Sequence, residues 1–137
     1  MDRFKRAFGR FEKAYKKFRE IVQNQAISEL FKEEFLIEIA TKRFEYTFES
    51  MWKAVKEFLR IRGIECNSPR SCFKELLKEG LVPFSYEEEL ARMVMLRNQL
   101  VHIYDELQAK QIYDEIREER FLKTFEQVLK ALKKVVV

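Results

Sequence analysis

The chain begins with an apolar stripe whose spacing strongly restricts its fold. Between residues 2 and 24, large apolar side chains recur at steps of three and four positions. This period places them along one face of an α-helix, which must then pack against other elements. The sequence therefore predicts an amphipathic first helix over residues 2–24. The stripe consists of Phe4, Phe8, Phe11, Tyr15, Phe18 and Val22.

The rest of this first helix is strongly basic. Its acidic residues are only Asp2, Glu12 and Glu20. A charged face of this kind is either solvated or in contact with an anionic chain such as a phosphate backbone. No aromatic residues alternate with the charges, so the sequence does not predict base stacking here. The basic residues are Arg3, Lys5, Arg6, Arg10, Lys13, Lys16, Lys17 and Arg19.

A long second helix is predicted over residues 29–62, with Ser28 as its N-cap and Gly63 just past its end. Its first turns, around Phe31 and Phe35, are apolar on most sides. Such a helix packs against more than one neighbour, either inside the bundle or at a subunit interface. Its main apolar stripe consists of Phe44, Phe48, Met51, Trp52, Val55 and Leu59.

Three more helices are predicted, over residues 69–79, 86–103 and about 108–134. Serine marks the start of the first two, and the phase of the apolar residues shifts before the third. With only three Gly and two Pro among 137 residues, the chain cannot be a turn-rich β protein. We therefore expect an all-α fold, an antiparallel up-and-down bundle of about five helices, as a single domain over residues 1–137.

The sequence also indicates where the protein is located and in which state its two cysteines are. No apolar run approaches the ~20 residues of a membrane span, and the N-terminus has no apolar signal segment, so we expect a cytoplasmic protein. Cys66 and Cys72 fit no metal-ligand spacing with the lone histidine. We expect free thiols, with a local disulfide as the alternative, and neither a metal nor another cofactor.

The candidate functional segment is residues 97–104, Arg-Asn-Gln-Leu-Val-His-Ile-Tyr, which contains the only histidine. Asn98 and His102 are four positions apart and would share a helix face. Arg97 and His102 are five apart, roughly 140° on a regular helix. Their convergence requires the helix to unwind near His102, or a second copy of the segment from a partner subunit. Glu45 and Glu49, one turn apart on the second helix, are the carboxylates expected beside it.

These residues resemble the signature of HEPN domains, an Arg followed four to six residues later by His. The Tyr two residues after the His resembles the tyrosine found at this position in the HepT-like branch. Two further segments resemble the nucleotidyltransferase substrate-binding proteins of the same superfamily. These are Arg43-Phe44-Glu45-Tyr46-Thr47-Phe48-Glu49 followed by Trp52-Lys53, and Ser68-Pro69-Arg70.

The resemblance implies a homodimer whose partner is a minimal nucleotidyltransferase of the MNT type. In the HepT-like branch the pair is a toxin and its antitoxin. The HEPN protein is a metal-independent RNase, and the nucleotidyltransferase silences it, in some cases by transferring AMP to the motif tyrosine. Carried over, Arg97 and His102 would be the RNase pair and Tyr104 the modification site.

The chemistry of these side chains agrees with that implication. Cleavage through the 2′-OH needs a base, an acid and a cation that stabilises the crowded phosphate. A histidine with a pKa near 6.5 can serve as base or acid, and Arg97 offers a planar fork of donors. Asn98 could orient the imidazole or bind phosphate. One histidine cannot easily fill both roles, so we expect a second Arg/His pair across a two-fold axis.

Other interpretations stay open at this point. The chain could instead be a non-catalytic subunit that docks to the nucleotidyltransferase and binds its nucleotide or substrate. It could also be a structural helical dimer without a site. In that case His102 is a hydrogen-bonded structural residue and Arg97 a surface arginine, while Tyr104 packs at a helix end and Trp52 lies in the core.

Overall fold

A computed structural model describes residues 1–102 and 105–136 of the chain. The described residues form seven α-helices and one 3₁₀ turn, with no β-strand among them. The predicted all-α class is therefore confirmed, although the helices are more numerous than expected. In chain order they are α1 (Asp2–Gln23), α2 (Gln25–Leu30), α3 (Glu33–Ile61), α4 (Pro69–Lys78), α5 (Glu87–Val101), α6 (Glu106–Ile116) and α7 (Glu119–Val136), with the 3₁₀ turn at Phe84–Tyr86.

The two longest helices, α1 and α3, lie antiparallel along their length. Arg3 near the start of α1 donates to Glu57 near the end of α3, at 3.0 Å. At the opposite end, Arg43 of α3 donates to the backbone oxygen of Lys17, at 2.8 Å. These two contacts mark the register of the pair. The short α2 and its flanking residues connect the two helices.

A cluster of aromatic rings joins α1, α3 and α7. Phe125 of α7 is fully buried, and its ring lies 5.7–6.3 Å, centroid to centroid, from four others. The arrangement is edge-on or tilted, the geometry that the ring quadrupole favours. The four rings are those of Phe11, Tyr15, Phe18 and Phe44.

Tyr15 also ties α1 to α7 through its hydroxyl group. The phenol donates to the Glu126 carboxylate and lies 3.4 Å from the Leu122 backbone oxygen. Burial, followed by this hydrogen bond to Glu126, raises the pKa of Tyr15 above its ordinary value. The hydroxyl therefore stays a proton donor throughout the ordinary pH range.

The prediction of where the second helix starts was wrong. Asn24, not Ser28, is an N-cap, because its side-chain oxygen accepts from the backbone N–H groups of Ala26 and Ile27. The cap starts the short helix α2, and the chain is extended at Phe31 before α3 begins at Glu33. Asparagine is among the best N-cap residues, and here it outcompetes the serine four positions later.

Two other helix boundaries also differ from the prediction. Ser85 does not cap α5, because it lies inside the 3₁₀ turn and Tyr86 precedes the helix without a side-chain cap. The expected helix over residues 108–134 is two helices, since α6 ends at Ile116 and α7 begins at Glu119. The predicted break before α6 is confirmed, with Asp105 accepting from the Gln108 N–H at 2.7 Å.

The start of α4 is as predicted, and it brings the two cysteines together. Gly63 has a φ of +77°, a conformation that favours glycine, and it turns the chain after α3. Ser68 then accepts from the Ser71 N–H at 3.2 Å and Pro69 is the first helical residue. The loop between them places Cys66 beside the first turn of α4.

Cys66 and Cys72 form a disulfide, so the expectation of free thiols was wrong. Their Cα atoms are 5.2 Å apart, inside the range that a disulfide spans, and both side chains are buried. The sequence separation of six residues does not by itself set this distance. The turn at Gly63 and the cap at Ser68 set it.

Among the described residues, no helix combines the length and the apolar content that crossing a bilayer requires.

Reduction of the disulfide is expected to lower the free energy of unfolding by about 2 kcal/mol, because the closed loop restricts the unfolded chain. Urea unfolding with and without dithiothreitol measures this effect. The Cys66→Ser/Cys72→Ser variant serves as the control, since dithiothreitol should not change its midpoint. Two titratable thiols in the unreduced, urea-unfolded protein would contradict the disulfide.

Candidate functional site

The end of α5 contains the first part of the predicted site. Arg97 and Asn98 lie in the last turns of the helix, which ends at Val101. His102 follows as the C-cap, with a φ of −120° and a ψ of 29°, and its backbone N–H donates to the Gln99 oxygen at 3.0 Å. The backbone therefore leaves the helical path at His102. No hydrogen bond within residues 1–102 and 105–136 joins the His102 side chain to Arg97 or Asn98.

Tyr104, the predicted modification site, lies outside the described residues together with Ile103. The two residues that border this gap, His102 and Asp105, are both exposed. Asp105 caps α6, so the chain re-enters a helix directly after the motif.

Three contacts fix the guanidinium of Arg97. Its Nη1 donates to Oε1 of Glu49 on α3, and its Nε donates to Oδ1 of Asn98 at 3.1 Å. Its Cζ lies 5.1 Å from the centroid of the Phe48 ring, a cation–π distance. The Arg97 side chain keeps 24% of its accessible surface. These hydrogen bonds orient the guanidinium but use only two of its five N–H donors, so the other three can bind a ligand.

The Glu49 carboxylate is engaged on both oxygens. Oε1 accepts from Arg97, and Oε2 accepts from the Trp52 indole N–H at 3.0 Å. Trp52 is one turn further along α3 and is partly buried. Glu49 thus joins α3 to α5 and contacts both partners at once.

The two predicted carboxylates differ in their roles. Glu49 contacts the motif directly, whereas no hydrogen bond or ion pair within residues 1–102 and 105–136 connects Glu45 to Arg97, Asn98 or His102. Glu45 lies one turn before Glu49 and is half-buried. The structure therefore brings together Arg97, Asn98 and Glu49 and leaves Glu45 apart.

Trp52 and Phe48 are parts of the site that sequence reasoning assigned only to the apolar core. The spacing of Glu49 and Trp52, three positions apart, was the available signal, since such pairs are neighbours on a helix. The contact between Phe48 and Arg97 had no local signal, because the two residues are 49 positions apart.

A second ionic cluster fixes the return from the motif into α6. Arg92 of α5 makes two hydrogen bonds of 2.6 Å to the Glu115 carboxylate of α6. Arg120 at the start of α7 also binds Glu115, at 3.2 Å. The hydrogen bond from Arg92 chiefly lowers the pKa of Glu115, so the carboxylate stays charged near neutral pH. The two helices that flank the motif are thereby held as an antiparallel pair.

Comparison with known proteins agrees with this architecture over nearly the full chain. The family model described as "Nucleotidyltransferase substrate binding protein like" matches residues 3–134. A crystal structure of a protein from Thermus thermophilus superposes with a TM-score of 0.77 at 30% sequence identity. The match covers 90% of this chain and 98% of that one. No curated protein matches the sequence at a significant level.

The bridge through Glu49 predicts a spectroscopic change. Trp52 is the only tryptophan, so one indole peak is expected in a ¹H–¹⁵N spectrum. Glu49→Ala removes the acceptor of the indole N–H, and the peak should move upfield toward that of a solvated indole. Glu45→Ala, the matched control one turn away, should leave the peak in place. A Glu49→Ala peak that coincides with that of the wild type would contradict the bridge.

Proposed function

Since this chain belongs to the nucleotidyltransferase substrate binding protein like family, a helical family of HEPN type, we propose that it is the partner subunit of a small nucleotidyltransferase. Its own activity is metal-independent cleavage of RNA, with Arg97 and His102 at the reacting phosphate. The nucleotidyltransferase silences this activity as an antitoxin, and Tyr104 is the residue that receives AMP. The pair acts in the cytoplasm.

The observation that supports cleavage is the combination of an anchored arginine and an exposed histidine at one helix end. Glu49, Asn98 and Phe48 orient the Arg97 guanidinium, and His102 lies exposed just past the last helical residue. An oriented cation is worth most where charge builds up in a transition state, because it needs no rearrangement at that moment.

The reaction these groups support is an internal transesterification. A histidine accepts the proton of the 2′-OH as its oxygen attacks the phosphorus, and the bond from phosphorus to the 5′-oxygen breaks. An acid protonates the leaving 5′-oxygen, while Arg97 binds the phosphate oxygens. The products are a 2′,3′-cyclic phosphate and a 5′-hydroxyl end. Asn98 holds Arg97 through its Oδ1 and keeps its amide N–H groups for phosphate or imidazole.

A homodimer supplies the second histidine that this scheme requires. Val101, within the motif, and Leu107, three residues after it, expose 66% and 69% of their surface. Burying them at a two-fold axis would place two Arg97/His102 sets beside each other. One His102 would then act as the base and its counterpart as the acid.

The second candidate is a binding subunit without RNase activity. Two observations favour it: the description of the family, and the ion pair that already neutralises Arg97. In this function Arg97 and His102 bind the nucleotide or substrate of the nucleotidyltransferase. Glu49 then keeps the empty site ordered.

The experiment that tests cleavage uses purified protein with total RNA and a tRNA pool in EDTA. His102→Ala and Arg97→Ala are expected to lower the rate by about 10²-fold or more, because each removes a group that acts on the reacting phosphate. Arg70→Ala, an exposed arginine on α4, is the control and should cut like the wild type. The fragments should have 5′-hydroxyl ends that a polynucleotide kinase labels directly.

Intact RNA with folded, unmodified wild-type protein would overturn the RNase proposal. Calorimetric titration with nucleoside triphosphate, on the wild type and on Arg97→Ala, would then test the binding-subunit function. Fragments that persist in His102→Ala would also contradict the assignment, because they would come from a contaminant or from another group.

The dimer has its own test. Light scattering is expected to give twice the 16.7 kDa mass of one chain. Val101→Asp should shift the mass to that of a monomer and abolish cleavage. Phe84→Asp is the matched control, since Phe84 is also 63% exposed but lies in the turn before α5. A monomeric wild type that still cleaves RNA would show that one chain supplies both acid and base.

A further inference from the structure

A basic groove runs between α1 and α3 on the surface of the bundle. It consists of two adjoining cavities of about 500 Å³ and 290 Å³, and Arg10 lines both of them. Eight cationic side chains line these cavities. They are Arg3, Arg6, Arg10, Lys13 and Lys17 from α1 and Arg43, Lys53 and Lys56 from α3.

The α1 residues of the groove form one edge of their helix. Their steps of three and four positions keep them in line from Arg3 to Lys17, over about 21 Å at 1.5 Å per residue. Lys5 and Lys16, on the same helix, fall on the opposite edge. The basic face of the sequence is therefore divided by the fold, and five of its charges point toward α3.

Most of these charges are not neutralised by the protein. Among the described residues, the acidic side chain that lines the cavities is Glu57, which binds Arg3 at 3.0 Å and Arg60 at 2.8 Å. No ion pair within residues 1–102 and 105–136 involves Arg6, Arg10 or Lys13. A row of unpaired cations in a concave surface raises the local concentration of anions.

The fold also places aromatic rings of α3 beside the basic face of α1, which has none among its charges. Tyr46, on α3, is 59% exposed and lines the smaller cavity, and Trp52 lines the larger one. Lys42 and Lys56 lie over these rings, with their Nζ atoms 5.8 Å and 5.9 Å from the ring centroids. Cations beside accessible rings are the features of surfaces that bind single-stranded nucleic acid.

Trp52 links the groove to the candidate functional site. Its ring lines the cavity, while its indole N–H donates to the same Glu49 carboxylate that accepts from Arg97. A chain that lies along the groove and passes Trp52 therefore approaches Arg97.

We propose that the α1/α3 groove binds single-stranded RNA and guides it toward Arg97 and His102. The inference rests on RNA as the substrate of the proposed function, and it assigns the residues that hold the strand away from the reacting phosphate. The cations contact the phosphates, and Tyr46 stacks on a base. An acidic protein would also satisfy the charges, and the Tyr46 variants and the polyglutamate competition below distinguish it from RNA.

The test is fluorescence anisotropy with a fluorescein-labelled, mixed-sequence RNA of about 15 nucleotides, near the upper site size of single-strand binding folds. The protein contains His102→Ala so that the RNA stays intact. Adding Arg10→Gln/Lys13→Gln should weaken binding about tenfold and lower the slope of log K against log salt by about 1.4, for two lost phosphate contacts. Adding Lys5→Gln/Lys16→Gln, the same charge loss on the opposite edge, should change the dissociation constant less than about twofold.

A second pair of variants tests stacking. Tyr46→Ala should weaken binding about fivefold with an unchanged salt slope, since stacking involves no counterion release. Tyr46→Phe should bind like the parent protein, because it keeps the ring. Circular dichroism on each variant checks the fold, and these exposed residues are not expected to change it.

Equal affinities for the groove variant and its control would overturn the groove, even if the wild type cleaves RNA. Groove variants that lose affinity while the wild type leaves RNA intact would support the groove and overturn the RNase proposal. Polyglutamate that competes as well as unlabelled RNA, together with no effect of Tyr46→Ala, would assign the groove to an acidic protein and contradict this inference.

Discussion

The packing of Phe125 against four aromatic rings is the constraint on which the other features depend. Rings from α1, α3 and α7 meet at this residue, so the two longest helices are clamped by a third. Aromatic side chains add large buried area and a preferred edge-on geometry. Their positions fix how α1 lies on α3, and that register determines both the shape of the basic groove and the place of Glu49.

Glu49 connects the packing of the helices to the candidate functional site. Its carboxylate accepts from Arg97 on one oxygen and from Trp52 on the other. A lone arginine at a helix end would sample many rotamers, whereas this one is fixed by a carboxylate, an amide and a ring face. Binding and catalysis both benefit from such preorganisation, because the ordering cost is met when the protein folds.

The helical fold was largely predictable because the apolar period and the strong caps are local signals. Phe4 to Phe18 and the Ser68-Pro69 start behaved as predicted. The predicted caps Ser28 and Ser85 did not, because neighbouring capping signals compete and only the folded backbone decides between them. The disulfide was only the alternative prediction, because the path of the loop between Gly63 and Ser68 sets the distance between its two cysteines. In the site, the nearness of Glu49 to the motif was expected, while the cation–π contact with Phe48 and the groove aromatics came from packing between distant segments.

Trp52 belongs to two surfaces at once, and this shared residue makes them thermodynamically dependent. Any ligand that shifts the indole also changes the acceptor that orients Arg97. Conversely, an anion that draws Arg97 away from Glu49 alters the position of the indole. Linkage requires the two effects on affinity to be equal. One side chain thus joins the groove to the carboxylate that orients Arg97.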